Sequence, residues 1–367
     1  MLEEQRVLYN AALQERIECY RKTGKSLTFF DQNKSLTTWR QESETALPAM
    51  LHRWTIKRLD DAFQAFYRRA KKKNGKAGFP RYRGKNWSSF GFVEFSGIRL
   101  IDKRLKIKGF KSGLRVHMHR PLPPDPDIRS CTFTRDGTNW YVSLQVKMEA
   151  PELREVRNGI GIDVGLNALL ATTDGTLIAA PKFSRKAEKE MRRRQRALSR
   201  SKRGSRKRLK AKQRVAAWHR KITNTRNTHL HQIAAALVKK YDGFAVEKLN
   251  IQGMMRSNLS RSIADASWGT FFQMLCYKAA RAGAQYVTVD PRHTSQLCSG
   301  CGVIVKKTLS DRTHECLHCG LVMDRDINAA HNILSRAAFK GVVALEKHNV
   351  EHQFKRASMN ISLAVSN

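Results

Sequence analysis

Apolar residues near the start of the chain recur every three or four positions. Leu2, Val7, Leu8, Ala11, Ala12 and Ile17 share one helical face, and Met50, Trp54, Ile56, Leu59, Ala62, Phe63 and Phe66 share another. Two helical runs are therefore predicted, the second over Ala46 to Lys73, with its aromatic residues packed into a core and not stacked on bases. From 87 to 149 the period falls to two. Phe90 and Phe92, Leu105 and Ile107, Leu114 and Val116, then Trp140, Val142, Leu144 and Val146 alternate with polar neighbours. Asp102-Lys103 and Asp136-Gly137 mark turns, the second a strong hairpin signal. A small antiparallel β-barrel or sheet is the expected outcome.

The stretch Gly159 to Gly165, G-I-G-I-D-V-G, is a short apolar strand carrying one acid, Asp163, in its middle. Ala168 to Thr172 and Leu177 to Ala180 follow, joined by Asp174-Gly175, so three antiparallel strands are expected, the start of a ribonuclease-H-like sheet. Two helices broken near Gly204 come next, then an amphipathic helix over Leu230 to Tyr241. Gly243 to Asn250 is a second apolar strand and contains Glu247; Trp268 to Ala282 returns to helix, and Ala284 to Val289 is a strand. Ile327, Ala330, Ile333 and Leu334 form the face of a last helix, with Asp326 near its start and Asn328 as a polar spacer. The fold class is α/β and α+β, in several domains.

Charge changes this picture most. The 367 residues carry 69 Lys and Arg against 31 Asp and Glu, a net charge of +38. Such an excess repels itself unless a polyanion neutralises it, and points to nucleic acid bound in a salt-dependent way. Lys182 to Lys221 alone holds 19 Lys or Arg and two acids, Glu188 and Glu190. Arg192, Arg193, Arg194, Arg196, Arg203, Arg206, Lys207, Arg208, Lys210 and Arg214 are its candidate phosphate ligands. No apolar run is long enough to span a membrane, and Met1 to Tyr20 is charged and helical, unlike a signal peptide.

Cysteine usage adds a metal. Cys298-x2-Cys301 and Cys316-x2-Cys319, 14 residues apart, can present four thiolates tetrahedrally to Zn2+, and Gly302 and Gly320 after each pair permit the tight turn under the ion. Four protein ligands leave no open position, so this zinc is structural. Clustered cysteines with no disulfide framework suit a reducing compartment, hence a cytoplasmic, nucleoid-associated protein.

Taken singly, Asp163 could cap a turn, and Asp324 or Asp326 a helix. Taken together, Asp163, Glu247 and Asp326 are three acids from distant segments in a very basic chain. Phosphodiester hydrolysis uses two Mg2+ ions held by such acids. The glycines flanking Asp163 would then let metal and DNA backbone approach.

At this point residues 159 to 335 resemble the TnpB family of transposon-encoded RNA-guided nucleases, the OrfB-type proteins related to type V CRISPR effector nucleases. The matching words are G-I-D-V-G, V-E-K-L-N, D-A-S-W-G (Asp265 to Gly269), T-S-Q-L-C-S-G-C-G (Thr294 to Gly302), C-L-H-C-G and D-R-D-I-N-A-A-H-N-I. G-F-P-R-Y (Gly78 to Tyr82) resembles the family's basic loop more loosely.

The resemblance implies a split RuvC-like nuclease domain with Asp163, Glu247 and Asp326 as catalytic acids and Mg2+ ligands, Asp324 standing in reserve for Asp326. It implies a helical recognition region over 1–86, a wedge-like β-barrel over 87–150, and the nuclease domain over 151–292 with a basic insert at 182–222. A zinc ribbon over 293–322, a last nuclease segment over 323–335 and a poorly ordered tail over 336–367 complete the layout. Members usually open with a strand and a short basic segment, whereas this chain is helical from Met1. The implied partners are a guide RNA from the transposon end and double-stranded target DNA. A nuclease-inactive guide-dependent DNA-binding regulator and a guide-free ribonuclease-H-type transposase are the competing functions.

Overall fold

A computed structural model of the protein describes residues 1–43, 45, 47–72, 77–94, 98–108, 112–118, 121–308 and 310–339, and the backbone of 363–366. The chain forms two compact units, one of Met1–Met148 with the C-terminal strand, the other beginning at Glu149.

The first unit opens with three helices, α1 (Leu2–Thr23), α2 (Phe29–Glu42) and α3 (Ala49–Lys71). Residues 46 and 73, the ends expected for the last of these, lie outside the described residues. Gly24 ends α1 in the left-handed conformation, and Thr28 starts α2 through a capping box with Asp31. Tyr9, Leu13, Leu36, Ile56, Leu59 and Phe63 form the core between the helices, so the aromatic positions of α3 pack inward as expected. Arg16 and Asp60 form a buried ion pair at 3.0 Å.

Seven antiparallel strands follow: β1 (Ser89–Phe92), β2 (Ile98–Ile101), β3 (Arg104–Ile107), β4 (Leu114–His117), β5 (Ile128–Asp136), β6 (Asn139–Val146) and β14 (Leu363–Ser366), ordered β1-β5-β6-β14-β4-β3-β2. Asp136-Gly137 makes the expected hairpin, with Gly137 at φ 65. Asp102 and Lys103 turn the chain with φ of 49 and 58. The expected barrel is an open sheet: β1 and β2 stand at its edges with no ladder between them among the described residues. Closure is not needed to bury the apolar face, because α3 covers it with Leu51 and Trp54. Trp54 lies so close to Gly91 that a β-carbon there would fall 2.5 Å from its indole nitrogen. The tail expected to be poorly ordered ends in a strand, β14, which pairs with both β4 and β6; residues 340–362 lie outside the described residues.

The second unit is built on a five-stranded sheet of β7 (Gly159–Val164), β8 (Ala168–Thr172), β9 (Leu177–Ala179), β10 (Gly243–Glu247) and β11 (Gln285–Val289), ordered β11-β10-β7-β8-β9. The first three strands form an antiparallel meander, while β10 runs parallel to β7 and β11 parallel to β10. Between β9 and β10 come α4 (Phe183–Lys186), α5 (Glu188–Ser199) and α6 (Arg206–Lys240). After β10 come α7 (Ile251–Met254), α8 (Ser260–Ala266) and α9 (Trp268–Arg281); β12 (Thr313–Glu315), β13 (Val322–Asp324) and α10 (Arg325–Ser335) close the unit. Gly204, at φ 80, breaks α5 from α6 where expected, and the helix expected over Leu230 to Tyr241 is the end of α6.

The sheet alternates sides along each strand. Ile160, Ile162, Phe244 and Val246 face a core with Leu230 and Ala234 of α6 and Phe271 and Leu275 of α9. Gly161, Ala245 and Val289 face α10, with Ile333 and Leu334 against them. Asp163 shares the α10 side, because it lies two residues beyond Gly161.

Candidate active site

Parallel pairing brings the first two acids together. Val246 pairs with Ile162, so the next register position sets Glu247 beside Asp163, at the carboxyl ends of β10 and β7. Asp326 comes from the first turn of α10, over the end of β7: a β-carbon on Gly165 would sit 3.7 Å from its Oδ2. Glu247 is only 9% exposed. Burial, and then the charges of Glu247 and Asp326, push the Asp163 carboxyl well above the usual carboxylate range; the Val164 amide and Arg325 oppose this without offsetting it. Burial also raises Glu247, against the Thr294 hydroxyl and the charge of Arg336. Asp163 and Glu247 ionise reluctantly, and with Asp326 they form a donor set whose crowding a divalent cation would relieve; hard oxygen donors suit Mg2+.

The D-R-D sequence is divided by hydrogen bonding. Asp324 is the N-cap of α10: its Oδ1 accepts from the amides of Asp326 at 2.8 Å and Ile327 at 3.2 Å. That leaves the Asp326 carboxylate to face Asp163, with the Arg325 Nε 3.3 Å from its Oδ1. Asn328, expected as a polar spacer, is fully buried and tied at both ends of its amide. Its Nδ2 donates to the Leu297 carbonyl at 2.7 Å, and its Oδ1 accepts from the Ser299 amide at 2.9 Å. One turn on, Asn332 donates to the carbonyls of Thr294 at 2.9 Å and Leu297 at 2.7 Å. One turn further, Arg336 donates to those of Asp290 at 3.0 Å and Arg292 at 2.6 Å. Spacing of i, i+4 and i+8 puts the three on one side of α10, where they clasp the segment running from β11 to the first cysteine pair. That spacing is visible in the sequence; its target is not.

The glycines of β7 serve packing more than ligand approach. A β-carbon on Gly161 would lie 2.1 Å from the Ala330 carbonyl oxygen, so glycine there lets α10 sit directly on the strand. Gly159 faces Phe339 and Val156. The D-A-S-W-G segment braces the same strand. The Trp268 indole donates to the Gly165 carbonyl at 3.3 Å, and Asp265 accepts from the Ser184 amide at 3.0 Å and pairs with Arg226 at 3.7 Å.

The four clustered cysteines converge. Their sulfurs all lie within 4.8 Å of one another, with Cys298 3.5 Å from Cys319 and Cys301 3.6 Å from Cys316. Gly302 and Gly320 both take φ 74, and their amides donate back to Cys298 and Cys316, making two matched knuckles. Backbone amides of Cys319 and His318 help draw the Cys316 thiol down to about 6. Four thiols at this separation fit a tetrahedral Zn2+.

The basic helices carry their charge outward. Arg192, Arg193, Arg196, Arg203, Arg206, Lys207, Lys210 and Arg214 are exposed. No residue of α5 is buried, and α6 buries only Leu230, Ile233 and Ala234. Arg194 is half-buried, paired with Glu190 at 2.7 Å and lying over Trp218. Arg208 is half-buried, and its Nη1 donates to the carbonyls of Leu198 at 3.0 Å and Ser201 at 2.9 Å, closing the turn between α5 and α6. Among the described residues no helix is long and apolar enough to cross a membrane.

With this geometry in place, the likenesses to known proteins are specific. Residues 143–258 match the OrfB_IS605 family model, described as a probable transposase, and residues 268–333 match the Cas12f1-like TNB domain. A protein of Streptomyces pristinaespiralis named as an RNA-guided DNA endonuclease is 30% identical over 340 residues, spanning 90% of this chain and 83% of its own length. InsQ of Escherichia coli K12, likewise named as an RNA-guided DNA endonuclease, is 28% identical over 355 residues, with shares of 90% and 86%. The cryo-EM structure of a Cas12f1-sgRNA-target DNA complex contains a chain that matches at TM-score 0.58 and 14% identity, over 90% of this chain and 80% of that one, which is a likeness of fold.

Proposed function

The chain belongs to the TnpB (OrfB) family of RNA-guided DNA endonucleases, and on that premise we propose that it hydrolyses DNA phosphodiesters at Asp163, Glu247 and Asp326 under the direction of a bound RNA. The convergence of three acids from β7, β10 and α10, with Asp163 pushed up by burial and then by the other two, carries this reading. The order β9-β8-β7-β10-β11, with β8 antiparallel, supports a RuvC-like, ribonuclease-H-type core.

Asp163, Glu247 and Asp326 would hold the metal. When bound, two Mg2+ ions supply an activated water and neutralise the charge on the leaving oxygen. The chain's own residues do the rest. Capping by Asp324 fixes the start of α10 and so the aim of Asp326, while the clasp of Asn328, Asn332 and Arg336 fixes the strand end behind Glu247. Exposed Arg and Lys of α5 and α6 track phosphates of guide RNA or DNA, with RNA pairing, not side-chain contacts to bases, selecting the target. Zn2+ on the four cysteines holds the ribbon and takes no part in the chemistry. A guide transcribed from the transposon end and a duplex DNA target are the partners this reading requires.

Purification from cells, sequencing of the RNA that comes with the protein, and a plasmid-cleavage assay in Mg2+ test it together. One defined RNA species should copurify, and cleavage should need both that RNA and the metal. Cutting that survives ribonuclease treatment would favour the guide-free transposase. Binding without any cutting would favour the regulator.

A further inference from the structure

We propose that Thr294 is a positioning residue for Glu247, and that through it the segment leading into the zinc ribbon sets the geometry of the nuclease site. The inference rests on the nuclease reading and adds a residue to it. Thr294 is 2% exposed, and its Oγ1 donates to Glu247 Oε1 at 2.5 Å. The same oxygen lies 3.0 Å from the Pro291 carbonyl. A hydroxyl has one proton, and a carboxylate is the stronger acceptor, so with Glu247 ionised the proton goes to Oε1.

Thr294 is itself held from behind. Its carbonyl accepts from Asn332, which also binds the Leu297 carbonyl one residue before Cys298. Asn332 shares α10 with Asp326, two turns along. A single helix thus supplies one acid directly and, through Asn332 and Thr294, orients a second. The hydroxyl occupies one oxygen of Glu247 and fixes the rotation of the carboxylate, leaving the other oxygen for a cation. Neighbours that orient metal-binding carboxylates in this way typically contribute about 10–100-fold to metal affinity or activity.

The test compares wild type, Thr294→Val and Thr294→Ser as guide-loaded complexes. Two readouts are needed, Mg2+-dependent plasmid cleavage and Mn2+ binding followed by electron paramagnetic resonance. Thr294→Val keeps the shape and loses the hydroxyl; about 10–100-fold weaker Mn2+ binding and slower cleavage are expected. Thr294→Ser should come within a few-fold of wild type in both. Wild-type behaviour of Thr294→Val, or equal damage from Ser and Val, would overturn the proposal. Wild-type protein that never cleaves would instead count against the nuclease reading, and the Mn2+ comparison would still decide the role of Thr294.

Discussion

Asp163 in β7 and Asp174 in the turn between β8 and β9 are perturbed in opposite directions. For Asp163, burial and neighbouring acids raise the folded-state pKa above the unfolded one. The folded state then holds its proton to higher pH, so the group's contribution to stability is greatest in acid and is lost as pH rises through the raised value. At neutral pH the metal-free carboxyl is a liability. Asp163→Asn should raise the melting temperature of the metal-free protein at pH 7.5 by about 2–4 °C, the size of an about 1 kcal/mol gain in a unit this large. The gain should vanish in calorimetry below pH 4.

For Asp174, burial would raise the pKa, but the Lys240 ammonium and the hydroxyls of Thr172 and Tyr241 more than offset it, holding the carboxyl well below its usual range. Its contribution is fully present above the unfolded value, shrinks below it, and is lost only as pH falls through the depressed folded value. Asp174→Asn should cost up to about 1 kcal/mol at pH 7, and in urea titrations the gap from wild type should persist at about pH 5 and narrow progressively as pH is taken below the ordinary carboxylate range.

Single residues are unevenly legible in the sequence. Asp163 stands out because an acid inside an apolar strand is costly. Residue type alone does not separate Asp324 from Asp326, since either can cap a helix; the family resemblance favours Asp326 for the site, and the amide hydrogen bonds show that Asp324 is the cap. Thr294 opens a word shared with the family, but its pairing with Glu247, 47 residues away, is not visible in the sequence. Arg208 looks like its neighbours in a basic run, and its role at a turn emerges only when the chain folds back on itself.

Elements show what their residues can only hint at. Helix α10 rests on β7 across Gly161 with no room for a side chain. Gly161→Ala should cost about 1–3 kcal/mol or more, since the obstacle is a backbone carbonyl that cannot swing away. It should also depress cleavage by moving Asp326, which a melting curve and a rate at permissive temperature would register separately. The ribbon is expected to hold one zinc per chain by elemental analysis, and Cys316→Ser to lose it. The α5–α6 pair presents an exposed charged surface. Replacing Arg196, Lys207 and Lys210 with alanine should flatten the plot of log affinity against log salt by about 0.7–0.9 for each phosphate left without its cation. Helix periodicity, the break at Gly204 and the Asp136-Gly137 hairpin are readable because each is a local signal. The open sheet of the first unit is not, because closure depends on what covers the apolar face, and there α3 does so.

At the scale of the whole molecule, sequence order and spatial order diverge. The second unit draws its acids from positions 163, 247 and 326 and unites them through one parallel register and one helix terminus. The first unit takes the middle strand of its sheet from the far end of the chain, which no local pattern in a polar tail foreshadows. Excess positive charge is the most legible feature of all, since it needs no fold to be read.

The central claim is that Asp163, Glu247 and Asp326 act as one metal-dependent site while Asp324 only caps a helix. Cleavage rates of guide-loaded wild type and the single variants Asp163→Ala, Glu247→Ala, Asp326→Ala and Asp324→Asn in Mg2+ test it most directly. Loss of any one acid should remove several kcal/mol of transition-state stabilisation, about a thousandfold in rate. Asp324→Asn should cut at close to the wild-type rate, because asparagine caps as well as aspartate. Full cutting by any of the three alanine variants, or an Asp324→Asn protein as inactive as Asp326→Ala, would contradict the assignment.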